Sequence, residues 1–317
     1  MKDTHPALDL RSFVKKSDLL CDNIRRMVVA REDTVRLTVI GLFGGGHVLL
    51  EDVPGVGKTL LAKALVGSLR GASFRRIQFT ADMLPSDITG GAVYNQTEGS
   101  FTFLPGPIFA NIVLADEVNR ATPRTQSALL EAMGEGQVTI ENITYPLTKP
   151  FFVIATQNPV ETHGTFPLPE AQLDRFLLSL SIGYPEKHQE MEILTRSEHE
   201  EPDIYPVLDM QDVLSMIRVV REVEVSVPLK EYIIALVSQT REDPNVVLGV
   251  SPRGATALQR VAQGLAAISG RSYVLPDDVK SAAVPVLSHR LIMRSAQGPS
   301  PHEAIRSILD KVKVRLY

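Results

Sequence analysis

Short, continuous apolar runs alternate with stretches of helical spacing through the first half of the chain. "HVLLE" at 47–51 is one such run, and a helical pattern follows it through "KTLLAKALVGSL". "RRIQF" (75–79), "NIVLAD" (111–116), "FFVIAT" (151–156) and "FLLSLSI" (176–182) repeat the theme. Each run is short and rich in Val, Ile, Leu or Phe, as expected of strands buried on both faces of a parallel sheet. The helical patterns between them predict βαβ crossovers. Two segments break the rhythm by alternating apolar and polar residues. One is "GGAVYNQTEGSFTFLPGP" (90–107), centred on Glu98-Gly99, and the other is "QVTIENITYPL" (137–147), centred on Glu141-Asn142. Both read as β-hairpins inserted between the main elements.

The pattern changes near "GYPEKHQE" (183–190). Beyond it most segments space their apolar residues three or four apart, the signature of amphipathic helices. Pro252, Pro276 and Pro301 each stand ahead of such a run, where proline suits the first helical position. The expectation is an α/β unit followed by an all-helical unit of roughly 130 residues, an ordinary domain size.

Composition adds boundaries to this picture. The chain has 317 residues, enough for about two domains. Its 44% hydrophobic and 22% charged content is that of a soluble globular protein. A net charge of −4 gives no bulk attraction to nucleic acid or anionic membrane. The single cysteine, Cys21, rules out an intramolecular disulfide and fits a reducing compartment. The first residues lack the apolar core of a secretory signal, and no apolar stretch is long enough to span a bilayer. A cytoplasmic location is expected.

The chemistry concentrates in five short motifs. "EDVPGVGKTL" (51–60) resembles a phosphate-binding loop, but the general G-x-x-x-x-G-K-[ST] pattern has Asp52 where its first glycine belongs. The remaining parts are present. Gly55 and Gly57 supply tight turns, Lys58 can reach β- and γ-phosphates, and Thr59 can hold Mg²⁺. A helix starting near Lys58 would aim its N-terminus at the anion. Pro54, Val56 and Leu60 complete the candidate nucleotide-binding stretch.

"IVLADEVNR" ends an apolar run with Asp116, a candidate Mg²⁺ partner, and Glu117, a candidate for polarising the attacking water. A carboxylate pair is also common at ordinary strand ends. In "IATQNP", Asn158 could orient water near a γ-phosphate or simply open a turn before Pro159. "PLPEAQLDRF" places Arg175 past a short helix, as an arginine finger or as a carbonyl cap. "VSPRGA" puts Arg253 in a first helical turn capped by Ser251. A cation is disfavoured at that positive helix end, which hints at a bound anion. No N-K-x-D motif for reading guanine occurs.

Together "VPGVGKT", "LADEVNR", "ATQNP", "LPEAQLDRF" and "SPRGA", in that order, resemble an AAA+ ATPase. More narrowly, "GHVLLEDVPGVGKT", "RIQFTADMLPSDITG", "FLPGPIFANIVLADEVNRATPRTQSALLEAMGEGQVTI", "ATQNPVETHGTFPLPEAQLDRF" and "VLSHRLIM" resemble the MoxR family, over about residues 30–300. The resemblance implies a P-loop core over 1–183 and a helical lid over 184–317. It also implies rings, usually hexameric, with ATP between subunits, and chaperone-like work on protein clients, often ones with von Willebrand factor A domains. It makes Asn158 the sensor-1 residue, Arg175 the finger on a neighbour's ATP, and Arg253 the sensor-2 residue acting in cis or in trans. It also makes Asp52 a family feature. A DNA-acting AAA+ motor and the ATPase subunit of a metal chelatase are the alternatives. Against the first, neither hairpin core, "AVYNQTEGSFTF" nor "TIENITYP", carries a Lys or Arg for tracking phosphates.

Overall fold

A computed structural model describes residues 9–53, 55–97, 99–158, 164–198, 203–295 and 297–314. All five expected strands form one parallel sheet: β1 (Val48–Glu51), β2 (Phe74–Gln78), β3 (Ile112–Asp116), β4 (Phe152–Gln157) and β5 (Leu178–Leu180). Their order across the sheet is β5-β1-β4-β3-β2. The register aligns Leu50 with Thr156 and Leu180, and Gln78 with Asp116, so the polar strand ends gather along one edge.

Even these continuous apolar runs obey the two-residue period of a strand. Val48, Leu50, Ile112, Leu114, Phe152 and Ile154 join one apolar cluster, and Leu49, Val113, Ala115, Val153 and Ala155 join the other. The two faces are covered by different helices. α1 (Leu10–Met27), α2 (Glu32–Phe43) and α3 (Lys58–Gly67) contribute to the larger cluster, while the short α4 (Pro85–Thr89) and α5 (Pro123–Glu135) contribute to the smaller. The apolar pattern did not delimit α1 and α2, and both matter for the site below. α1 also buries Cys21, whose thiol burial pushes up to about 11.

Both inserted hairpins form, pairing Gly90–Asn95 with Ser100–Pro105 and Gln137–Ile140 with Ile143–Pro146. Glu98 lies outside the described residues, and Gly99 turns at φ 64°. Phe103 of the first hairpin stacks on Tyr145 of the second at 4.1 Å between ring centres.

The rest of the chain is mainly helical: α6 (Glu170–Leu173), α7 (Lys187–Ser197), α8 (Met210–Glu222), α9 (Val227–Glu242), α10 (Pro252–Ile268), α11 (Pro276–Leu287) and α12 (Pro301–Lys311). Pro252, Pro276 and Pro301 each occupy the first helical position, as expected. The larger apolar cluster continues from the sheet into this region through residues such as Val213, Leu236, Leu258 and Ile305. Among the described residues, no helix is long and apolar enough to cross a membrane.

Candidate functional site

The loop after β1 turns through Gly55 at φ 86° and Gly57 at φ 92°. A side chain at either position would enter open space, so backbone conformation rather than crowding demands glycine there. α3 begins at Lys58, which directs its first-turn N–H groups into the loop. The Lys58 side chain is buried, and its ammonium donates to the Asp52 carbonyl at 2.8 Å. Burial pulls its pKa below the usual lysine range, while Asp52, Asp116 and Glu117 act in the opposite direction. Pro54 lies outside the described residues.

Asp52 points away from this loop. Its carboxylate accepts from Ser181 Oγ at 2.7 Å, the Ile182 N–H at 2.6 Å and the Gly183 N–H at 3.1 Å. It therefore fastens the strand that feeds the loop to the chain leaving β5. Nothing in the generic loop pattern could have revealed that role.

A cleft of about 420 Å³ opens over the loop, lined by Gly55, Gly57, Lys58, Thr59, Asp116 and Glu117 together with Leu60, Lys63 and Arg76. Asp116 is held from two sides. Thr156 Oγ1 donates to its Oδ1 at 2.6 Å, and Arg76 donates to its Oδ2 at 2.6 Å. Glu117 adopts a left-handed backbone at φ 56°, costly for a residue with a Cβ and a common mark of a working site. Its N–H donates to the same Thr156 hydroxyl at 2.8 Å. Its carboxylate accepts from Gln78 Nε2 at 2.9 Å and pairs with Arg120 at 3.0 Å.

Thr156 thus orients both carboxylate residues, a role that spacing did not disclose. Arg76 and Gln78 were equally unmarked, although their alternation in the strand "RRIQF" set them on one face. Asn158 lies one residue beyond β4 and is buried, and its carbonyl accepts from Asn119 Nδ2 at 3.2 Å.

Beside the charged cleft, and sharing Gly55, Gly57 and Leu60 with it, lies a mostly apolar pocket of about 360 Å³. Its walls come from the α1–α2 connection (Met27 to Arg31), the post-β5 segment (Ile182 to Pro185) and Ile193 of α7. The loop residue Val56 lines it as well. The two adjoining cavities together make a trough with an apolar end and a polar end that carries a lysine, a hydroxyl and two carboxylates. That matches a nucleotide, with a flat base at one end and phosphates at the other. The hydroxyl of Thr59 and the carboxylate of Asp116 are hard oxygen donors of the kind Mg²⁺ prefers.

Arg175 and Arg253 lie elsewhere. They line a separate cleft of about 230 Å³ that shares no residue with the trough. Arg175 extends along α5, donating to the Leu130 carbonyl and passing so close to Gly134 that a Cβ there would overlap its guanidinium. Arg253 sits on the first turn of α10, whose cap Ser251 accepts from the Arg253 and Gly254 N–H groups. Ser251 Oγ donates in turn to Asp174 at 2.8 Å, and Arg290 Nε donates to the other oxygen of Asp174 at 2.8 Å. Asp174 and Arg290 lie within two of the quoted motifs but had no role assigned there, yet together they set the mutual position of Arg175 and Arg253.

A five-stranded parallel sheet with a glycine–lysine–threonine loop at the edge of β1, and carboxylates at the end of β3, defines a P-loop nucleotide-binding protein with a helical lid. The comparisons agree. The model of the ATPase family associated with various cellular activities (AAA) matches residues 47–178, and that of the AAA lid domain matches 238–311. YeaC of Bacillus subtilis is 49% identical, covering 92% of this chain and 93% of its own length. Chaperone MoxR1 of Mycobacterium tuberculosis is 40% identical, covering 91% and 80% respectively. A solved structure of a candidate ATPase from Cytophaga hutchinsonii superposes with a TM-score of 0.89 at 41% identity, covering 96% of this chain and 97% of that one. The chain belongs to the MoxR family of AAA+ ATPases.

Proposed function

We propose that the protein hydrolyses ATP in the trough and uses the cycle to remodel, mature or activate partner proteins. The observation that carries this reading is the apolar pocket adjoining, across Gly55, Gly57 and Leu60, the cleft lined by Lys58, Thr59, Asp116 and Glu117. Lys58 and the N–H groups of residues 55–60 would hold the phosphates. Thr59 and Asp116 would hold Mg²⁺, which neutralises charge on the triphosphate. Among the described residues there is no cluster of three His, Cys, Asp or Glu side chains able to cage a metal. That suits an ion liganded chiefly by triphosphate and water. Glu117, fixed by Thr156 and Gln78, would accept a proton from the attacking water, with Asn158 helping to position that water.

Arg175 and Arg253 act, on this reading, on the nucleotide of an adjacent copy. The separation of their cleft from the trough of the same chain supports action in trans. We take the assembly as a cytoplasmic homo-hexameric ring built from a core over 1–183 and a lid over 184–317. Exposed Tyr94, Phe101 and Leu104 on one hairpin, and Ile143 on the other, favour contact with protein clients, von Willebrand factor A domain proteins among them, over nucleic acid.

Steady-state ATP hydrolysis tests the proposal. Lys58→Ala should lose nucleotide affinity, and Glu117→Gln should bind ATP but turn over about 10²-fold or more slowly. Arg175→Ala chains should regain turnover when mixed with Lys58→Ala chains. Wild-type protein without ATPase activity would sink the reading, and absence of complementation would sink action in trans.

A further inference from the structure

The cleft that holds Arg175 and Arg253 contains three more arginines, Arg221, Arg260 and Arg290, and a single carboxylate, Asp174. Asp174 is committed to Arg290 and Ser251. Arg221 of α8 and Arg260 of α10 make no ion pair among the described residues, and one terminal nitrogen of Arg260 is buried without a hydrogen-bond partner. The two side chains flank the Gly44-Gly45-Gly46 turn. Arg221 Nη2 stands 3.5 Å from where a Cβ on Gly45 would be, and Arg260 Cγ stands 3.4 Å from that of Gly44. Burial and the neighbouring Arg221 both push the Arg260 guanidinium below its usual range.

Unneutralised guanidiniums brought together at a half-buried surface repel one another unless an anion joins them. Arg253, Ala257 and Arg260 follow one face of α10, with the two arginines about 10 Å apart along its axis. Arg175 enters the same cleft from beyond α6, and Arg221 enters from α8. Phosphate groups suit planar, forked donors of this kind better than a point charge does.

We propose that Arg221 and Arg260 are further positioning groups for ATP hydrolysis, contacting the phosphate chain of a nucleotide held in the trough of an adjacent copy. The inference rests on the trans reading of Arg175 and Arg253 and extends it to α8 and to the third turn of α10. The cleft is then a receptor built on Arg175, Arg221, Arg253 and Arg260. Its charge stays unbalanced until a loaded neighbour docks.

The test compares Arg221→Ala and Arg260→Ala with Arg175→Ala and Arg253→Ala, using the full chain and ATP. Turnover, affinity for a fluorescent ATP analogue, and ATP-dependent self-association in a Glu117→Gln background are measured. The expected result is affinity within about 2-fold of wild type, turnover down roughly 10-fold, and recovery on mixing with Lys58→Ala chains, whose arginines are intact. Arg260→Lys and Arg221→Lys, which keep charge but lose the fork, should fall between. They also serve if an alanine variant does not fold.

Unchanged turnover in the Arg221 and Arg260 variants overturns the proposal, as does a loss that mixing never restores. Self-association weakened equally with and without ATP also overturns it, because the cleft would then meet a protein carboxylate. If Arg175→Ala and Arg253→Ala respond and complement while the other two do not, only this inference fails. If none of the four responds, the trans reading fails with it.

Discussion

Asp174 accepts the Arg290 guanidinium at 2.8 Å across 116 residues of sequence, so the residue next to Arg175 is tied to the segment that follows α11. The Arg290 side chain is only 2% exposed and that of Asp174 is 18% exposed. Removing one partner strands a buried charge. Asp174→Ala should cost about 3–5 kcal/mol of unfolding free energy by urea titration. The double change Asp174→Leu with Arg290→Met should recover part of that loss, because no charge is left unpaired. A double variant no more stable than Asp174→Ala would contradict this account of the pair.

Thr156 gives a second prediction. Thr156→Val keeps the side-chain shape but removes both the donor to Asp116 and the acceptor for the Glu117 N–H. Stability should fall by about 1–3 kcal/mol. Turnover should fall roughly 10- to 100-fold, as when the partner of a metal-ligating group is lost. Thr156→Ser restores the hydroxyl and should behave nearly as wild type. Mg²⁺-dependent ATPase assays on the three proteins separate these outcomes.

Asp52→Gly would create the full generic phosphate-loop pattern, yet it should not improve nucleotide binding. The backbone at Asp52 needs no glycine, because it does not have a positive φ. The lost carboxylate would leave three donors at Ser181, Ile182 and Gly183 without their acceptor. Hydrogen bonds to a charged group contribute about 1.5–3 kcal/mol each, so a marked drop in thermal stability is expected. Ile182 and Gly183 also line the apolar pocket, so adenine-nucleotide affinity should fall rather than rise in an equilibrium titration.

Acid stability should carry the imprint of His47. The ring is fully buried at the start of β1, accepting from the Val153 N–H at 3.1 Å and facing the Met133 carbonyl at 3.2 Å. Burial lowers its pKa from 6.5 to about 4. Between those values the unfolded chain binds a proton that the folded chain does not, so stability falls as pH drops from about 6.5 toward 4. The shift is worth on the order of 3 kcal/mol. His289, buried beside Arg290 and held well below the usual histidine range, adds to the same trend. Urea titrations across this range should give a shallower slope for His47→Gln, which keeps a donor and an acceptor but does not ionise. Equal slopes would remove His47 from the explanation.

The strands, both hairpins and the proline-started helices could be read ahead of the structure because each depends on local pattern. Phosphate-loop chemistry is local too, carried by five consecutive residues. The parts that escaped notice depend on partners far apart in the chain. Asp52 finds its donors 129 to 131 residues away, and Thr156 meets Asp116 across 40. The pocket wall from Met27 to Arg31 was invisible for a related reason. A connection between two helices has no periodicity to betray it, and only folding brings it against the phosphate loop. Arg221 and Arg260 of the second cleft stand in no motif and are ordinary cations in the sequence until α8 and α10 bring them beside Arg175 and Arg253.

Cys21 offers a practical consequence. A thiol with a pKa near 11, sealed inside α1, presents almost no thiolate at neutral pH. Thiol-directed dyes and spin labels should therefore ignore the native chain. A cysteine introduced at an exposed hairpin position such as Phe101, or on α8 near Arg221, would be tagged alone. Distances between copies could then be followed through the nucleotide cycle without first rebuilding the protein to remove background.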